Sequence, residues 1–260
     1  MTLADQRLGV IGVGNIAGAL LTGLATGPRP PHAVLLSPRS AETSASLAAR
    51  FPQMRVAADN QAVVDGSDVV MLAVRPQVAR EVLTPLRFRP EQRILSLIAI
   101  HPLAKLAPLV APATRMHRAL PLPPVARRLG PIAISPPDPE LESWFATVGT
   151  VVPVADDHHF EAIWSTSALI ATFYALVSRA ADWGVAQGLP RESAERYAKS
   201  VFHAVAQPLA DPGAKPAELA ALAQTKGGLN EQILRHMTEV GAFDEVARAL
   251  DMVLARLEGR

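Results

Sequence analysis

The sequence predicts an α/β chain with a doubly wound parallel sheet in its N-terminal half and an all-α C-terminal half. Three observations carry this expectation. Short apolar runs alternate with helix-period segments up to about residue 153. After Asp156 no convincing strand follows, and Ala-rich helical patterns run almost to the end. At the start, Leu8–Ile11 passes straight into Gly12-Val13-Gly14 and then into an amphipathic segment, so strand, glycine turn and helix stand in immediate succession.

Taken in order, the pattern predicts a first helix over about 15–26, a strand at Ala33–Leu36, a helix at Ala41–Arg50 and a buried strand at Asp68–Val74. Helices are expected near Val78–Leu86, Pro102–Leu109 and Glu140–Val148. They alternate with strands at Arg93–Leu97, Arg115–Leu120, Pro131–Ser135 and Thr150–Pro153. The boundary is placed near 155, giving domains 1–155 and 156–260. In the first long helix beyond it, Ile163, Ser167, Ile170, Tyr174, Val177 and Ala181 recur at steps of three and four, while Leu169, Phe173, Leu176 and Val185 widen the apolar surface. Such a helix wants burial on more than one side, as inside a dimer. Gly-Leu-Pro at 188–190 and Asp-Pro-Gly at 211–213 break the helices.

The glycine segment is how a Rossmann-type domain holds a dinucleotide pyrophosphate. Gly12 permits the tight turn, Gly14 lets the backbone approach the phosphates, and Ala17 is small enough for close helix packing. The helix N-terminus supplies free N–H groups and partial positive charge. The plainer alternative is an ordinary strand-to-helix turn. An NAD-preferring site places a carboxylate at the end of the second strand, about twenty residues on. Here that place reads Leu36-Ser37-Pro38-Arg39-Ser40, so NADP (NADPH) is expected, with Ser37, Arg39 and Ser40 around the 2′-phosphate. A solvated Ser-Pro-Arg turn is the competing reading.

Composition excludes several classes. In 260 residues, 49% hydrophobic, the formal net charge is +1, which leaves no basic footprint for nucleic acid or an anionic membrane. The apolar stretch Ile94–Val110 is interrupted by His101, Pro102, Lys105 and Pro108, and no signal-peptide n-region precedes the first strand. A cytoplasmic protein with small-molecule partners is expected. The absence of cysteine removes disulfides and thiolate sites, and no histidine spacing suits a metal.

Several of these segments resemble the pyrroline-5-carboxylate reductase family, over nearly the whole chain. Gly12-Val13-Gly14-Asn15-Ile16-Ala17-Gly18-Ala19-Leu20 is similar to the family's glycine loop. Asp59-Asn60 and Ala73-Val74-Arg75-Pro76-Gln77 are similar to its Asp-Asn and Val-Lys-Pro-Gln segments, with Arg75 for Lys. Gly184–Arg191 resembles the turn between the first two helices of its dimerisation domain, and Gly241 with the following helix resembles its C-terminal end. The resemblance implies nucleotide contacts from Asn15, Ile16, Asn60, Ala73, Val74, Arg75 and Pro76, and a homodimer or an assembly of dimers. Departures fall on the substrate side. Met-Pro-Asn-Thr-Pro is Leu120-Pro121-Leu122-Pro123-Pro124 here, Ser-Pro-Gly-Gly-Thr-Thr is Thr225-Lys226-Gly227-Gly228-Leu229-Asn230, and the small-residue entry to the first long helix is Ser167-Ala168-Leu169-Ile170.

The expected chemistry is reduction of a cyclic imine, pyrroline-5-carboxylate or a related C=N compound. Hydride goes to carbon and a protonated imine already carries its proton, so orientation and water exclusion are the protein's main tasks. Gly227 and Gly228 bring backbone N–H groups to a helix start, a cradle for a substrate carboxylate, with Ser167 also on the substrate side. Lys226 either adds charge there or is a solvated loop lysine. Thr225 and Asn230 are the candidate catalytic residues. Asn230 can donate to a ketone or accept from an iminium, and its alternative role is a helix N-terminal cap. A reductase of C=O substrates and a catalytically silent NADP-binding protein are the alternatives.

Overall fold

The computed structural model describes residues 2–260. Eight strands form one sheet in the order β3-β2-β1-β4-β5-β6-β7-β8: β1 Arg7–Ile11, β2 Ala33–Leu36, β3 Met54–Val56, β4 Val69–Leu72, β5 Arg93–Ser96, β6 Arg115–Pro121, β7 Pro131–Ser135 and β8 Thr150–Pro153. Helices α1 Asn15–Ala25, α2 Ala41–Arg50, α3 Asn60–Asp65, α4 Pro76–Leu83, α5 Leu103–Val110 and α6 Pro139–Phe145 connect them. The expected doubly wound architecture is present, with β1 between β2 and β4 as the point where strand order reverses.

The uninterrupted apolar run in β4 is explained by two-sided burial. Val69 and Met71 enter one core cluster with Leu8, Val10, Leu20, Leu36 and Trp144, whereas Val70 and Leu72 enter the other with Ile11, Val64, Leu83 and Leu106. Sequence periodicity misses β3 and α3, which are too short to show a period. It also does not reveal that β7 pairs antiparallel to β6, in the register Arg118↔Ser135 to Pro121↔Ile132. The connection between them is a 3₁₀ turn at Pro123–Arg127, closed by Arg128 at φ +59°. Without a crossover helix a returning strand can pair only antiparallel.

Two compact units divide the chain, one ending at Ile163 and the other running from Trp164 to Arg260. The boundary expected near 155 lies between β8 and α7, Asp157–Ser167, but the first unit also takes the start of α7. The cause is Arg118 on β6, which is 1% exposed. Its Nη1 donates to Asp157 at 2.6 Å and its Nη2 to Glu161 at 2.7 Å. The guanidinium also lies 4.1 Å over the Phe160 ring.

In the second unit, α8 Leu169–Ala186 and α9 Arg191–Ala206 pack through Ala181, Ala194 and Ala198, with Val177 and Val185 at the edge. Helices α10 Pro216–Leu222, α11 Leu229–Glu239 and α12 Ala242–Leu257 bury no residue within the single chain. Leu222, Leu229, Ile233, Phe243 and Met252 are all exposed, as are Tyr174 and Trp183 on α8. The helical run 157–186 is long and apolar enough to cross a membrane by length and composition alone. Within it Ile170, Phe173, Tyr174, Leu176 and Trp183 belong to this same uncovered surface.

An uncovered apolar surface of this extent is expected to make the full-length protein sediment as a dimer or larger assembly at micromolar concentration. A monomer in sedimentation-velocity runs would contradict it. Replacing Arg118 by Met removes the charge that balances buried Glu161, with an expected loss of about 3–5 kcal/mol read from denaturant midpoints.

Candidate nucleotide cleft and helical-unit loop

A cleft of about 340 Å³ opens at the carboxyl ends of β1, β2 and β4, lined by Ile11, Gly12, Gly14, Ser37, Arg39, Ser40, Asn60, Ala73, Val74, Arg75, Val78 and Val82. In open α/β sheets ligands bind at this edge, where strand order reverses. Gly12 has φ +88°, and a Cβ there would lie 2.8 Å from the Ala73 carbonyl carbon and oxygen. The turn therefore closes against β4 only because residue 12 lacks a side chain. At Gly14 a Cβ would meet nothing in the protein within 4 Å. The missing side chain at Gly14 thus leaves backbone open to a ligand. Gly14 is also the N-cap of α1, whose first-turn N–H groups have no intrahelical acceptor.

Ser37 is nearly fully buried and holds the glycine turn from below. Its Oγ accepts from the Gly12 N–H at 3.0 Å, its own N–H donates to Val10 O at 2.9 Å, and its carbonyl accepts from Ser44 Oγ at 2.8 Å. Its oxygen is thus already engaged with the turn, while Arg39 is exposed and Ser40 half-buried at the N-cap of α2. The lining contains no carboxylate, and both guanidiniums, Arg39 and Arg75, lack an acidic partner among the described residues. These features fit a bound dinucleotide: backbone N–H groups and an open glycine for the pyrophosphate, with unbalanced positive charge at the rim.

Asn60, Ala73, Val74 and Arg75 line the cleft as expected, whereas Asn15, Ile16 and Pro76 are not among its lining residues. Asn15 opens α1 and lines a groove against α2 with Gly18, Thr22, Glu42 and Thr43. Pro76 is the first residue of α4, where its missing N–H costs nothing. Val78 and Val82, unmarked by any motif, supply an apolar wall. At the next strand end, the Leu97 N–H pairs with Leu72 O at 2.8 Å, and the chain continues through Ile100 at φ +52° to His101. His101 Nε2 is enclosed without a partner among the described residues. Burial, then Lys105 and Arg118, hold its pKa below the usual imidazole value. His117 is buried, with Nδ1 3.1 Å from Pro136 O and Nε2 3.4 Å from Asp138.

A larger open groove of about 620 Å³ lies at the amino ends of the strands, lined by Arg7, Asp65, Asp68, Arg89, Glu91, Arg93 and Arg115 among others. Its charges are largely paired within the protein. Arg7 bonds Asp68 at 2.7 Å and Arg89 bonds Glu91 at 2.9 Å, so Arg7 holds the Asp68 carboxyl below its ordinary pKa. The carboxyl edge is the stronger candidate because its charge is uncompensated.

In the helical unit, several of the residues expected to face substrate bond to their own loop or helix. Asn230 Nδ2 donates to Ala223 O at 2.8 Å, tying the side chain to the C-terminus of α10, while the N-cap of α11 is Gly228. The Gly228 N–H donates to Thr225 O at 2.7 Å, and the Gly227 N–H donates to a Glu231 carboxylate oxygen. The expected open cradle of two glycine N–H groups is therefore closed. Lys226 is exposed, and Ser167 Oγ donates to Trp164 O at 2.7 Å within α7.

Comparison with known proteins gives two family matches. Residues 7–100 match the family described as NADP oxidoreductase coenzyme F420-dependent, and residues 158–259 match pyrroline-5-carboxylate reductase dimerisation. Pyrroline-5-carboxylate reductase from Pseudomonas aeruginosa is 27% identical over 264 residues, covering 98% of this chain and 96% of the relative. The Synechocystis enzyme of the same name is 29% identical, covering 94% and 95%. The chain is thus similar to pyrroline-5-carboxylate reductases along nearly its full length. A pyrroline-5-carboxylate reductase structure from Coxiella burnetii shares the fold with TM-score 0.87 at 21% identity over 98% of both chains. A Plasmodium falciparum pyrroline carboxylate reductase with NADP bound has TM-score 0.80 at 16% identity, covering 99% of this chain and 98% of that one. The dimerisation match falls on the helices that a single copy leaves bare, which supports self-association.

Gly12→Ala tests the cleft directly. A Cβ against the Ala73 backbone at positive φ is expected to cost about 1–3 kcal/mol of stability and to weaken NADPH binding by roughly tenfold or more. Thermal melts and fluorescence titration read the two effects.

Proposed function

We propose that this chain is an NADPH-dependent reductase acting on the C=N bond of a cyclic imine. The observation that carries the reading is the carboxyl-edge cleft, in which a glycine turn open to a pyrophosphate stands beside two unpaired guanidiniums and no carboxylate. The relatives named pyrroline-5-carboxylate reductase, matched along nearly the full length, support the C=N substrate.

Bound in this cleft, the nicotinamide nucleotide supplies the hydride. The chain's own residues hold and orient it. Gly12, Gly14 and the first turn of α1 present backbone to the pyrophosphate, and Arg39 with Ser40 takes the 2′-phosphate, Arg39 as a planar fork for two oxygens. Ser37 acts through the glycine turn, because its Oγ is the acceptor that fixes the Gly12 N–H. Val74, Val78 and Val82 give an apolar wall that keeps water from one side of the cleft. The loop of residues 225–231 is assigned to substrate recognition, with Lys226 and Glu231 as its charged groups and Thr225 and Asn230 shaping it. A protonated imine brings its own proton, so the reading requires no strong acid on the protein.

Steady-state turnover of NADPH against a panel of cyclic imines and matched ketones tests the assignment. Imine reduction is expected, and turnover confined to ketones or absent altogether would defeat it. NADPH is expected to bind more tightly than NADH. Arg39→Ala is expected to remove about 1.5–3 kcal/mol from NADPH binding and little from NADH binding. Equal dissociation constants for both nucleotides in the unmodified protein would count against the 2′-phosphate site.

A further inference from the structure

Two non-glycine residues among those described take positive φ, and local turn geometry explains one of them. Arg128 at φ +59° closes the 3₁₀ turn at Pro123–Arg127, where its N–H bonds Val125 O at 2.9 Å. Ile100 at φ +52° carries a branched Cβ, for which the left-handed region is a genuine outlier. The fold gives its side chain little cover in return. Ile98, two residues earlier, is buried in the cluster of Val70, Leu72 and Leu106, whereas Ile100 is 41% exposed. The next residue adds a second unfavourable feature, because His101 Nε2 is enclosed without a partner among the described residues. A strained backbone, a bare apolar side chain and an unpaired ring nitrogen thus meet at one corner. Strain of this kind clusters at ligand clamps and active sites.

The corner follows β5, whose Ser96 pairs with Leu72, and the Leu97 N–H carries the pairing on to Leu72 O at 2.8 Å. It therefore stands at the carboxyl edge, one strand beyond Ala73, Val74 and Arg75 of the nucleotide cleft, whose lining includes no residue after Val82. A dinucleotide lies across the point of strand reversal with one mononucleotide half on each side. With the 2′-phosphate assigned to Arg39 and Ser40 after β2, the adenosine half lies toward β2 and the nicotinamide half toward β5. We infer that Ile100 is an apolar contact for the nicotinamide ring, which positions the hydride-bearing end of the nucleotide and covers it from water. The inference rests on the NADPH reading above. A ring seated there covers the exposed isoleucine and gives the strained corner its use.

Two replacements tolerate positive φ: Ile100→Gly removes the side chain, and Ile100→Asn makes it polar. The full-length protein and both variants are titrated with NADPH and with 2′-phospho-ADP-ribose, which keeps the adenosine half and the pyrophosphate but has no nicotinamide. Both variants are expected to bind NADPH about five- to tenfold more weakly and 2′-phospho-ADP-ribose within about twofold of the unmodified protein. Their thermal midpoints are expected to hold, or to rise by about 2–4 °C as the strain is released. NADPH affinity unchanged in both variants, or an equal loss for the two ligands, overturns the inference and leaves the NADPH reading standing. A midpoint lowered in both variants also overturns it, since the side chain would then serve packing within the fold. If the unmodified protein binds neither ligand, the NADPH reading fails and the inference falls with it.

Discussion

A guanidinium that is 1% exposed must be neutralised where it lies, and the way Arg118 is neutralised sets the path of the chain as it leaves the sheet. Arg118 sits on β6 between Ser96 of β5 and Ser135 of β7. Its two carboxylate partners, Asp157 and Glu161, are one helical turn apart, so a single face of α7 satisfies both sides of the planar group, and Phe160 covers it. The start of α7 therefore belongs to the sheet unit although the sequence texture has already become helical.

The two ends of the sheet treat charge in opposite ways. At the amino edge, arginines and acids are paired within the protein, and even nearly buried Arg93 is met by Asp138 at 3.3 Å. At the carboxyl edge, Arg39 and Arg75 are left without acids beside a turn that can form only at a glycine. A charged ligand gains from the second arrangement and little from the first, since an existing ion pair would have to be broken before a new one formed. Cavity size alone would have favoured the amino edge.

The helical unit shows the same economy at one loop and the opposite at its surface. Between α10 and α11 the Asn230 amide, the Gly227 and Gly228 N–H groups and the Glu231 carboxylate all find partners within a few residues. Helices α10, α11 and α12 bury no residue within the single chain, an arrangement that suits self-association.

The sequence by itself determined the alternation of strands and helices, the glycine turn and the lack of a carboxylate after β2. Each of these is written within a short window by side-chain period, by the demand for a missing Cβ, or by residue type at a known offset. It could not reveal β3 or α3, which are shorter than a readable period, nor the antiparallel return into β7, which follows from a connection without a crossover helix. Only the tertiary structure decided which of several possible partners each polar group takes. Ser37 was legible as a hydroxyl near a phosphate, and its oxygen also accepts the Gly12 N–H. Asn230 was legible as a reacting-end amide or a cap, and its side chain is tied to the C-terminus of α10. Gly227 was legible as an open N–H, but Glu231 fills it. A donor's partner depends on which acceptor the folded chain brings within about 3 Å, and that competition is settled by packing rather than by residue type.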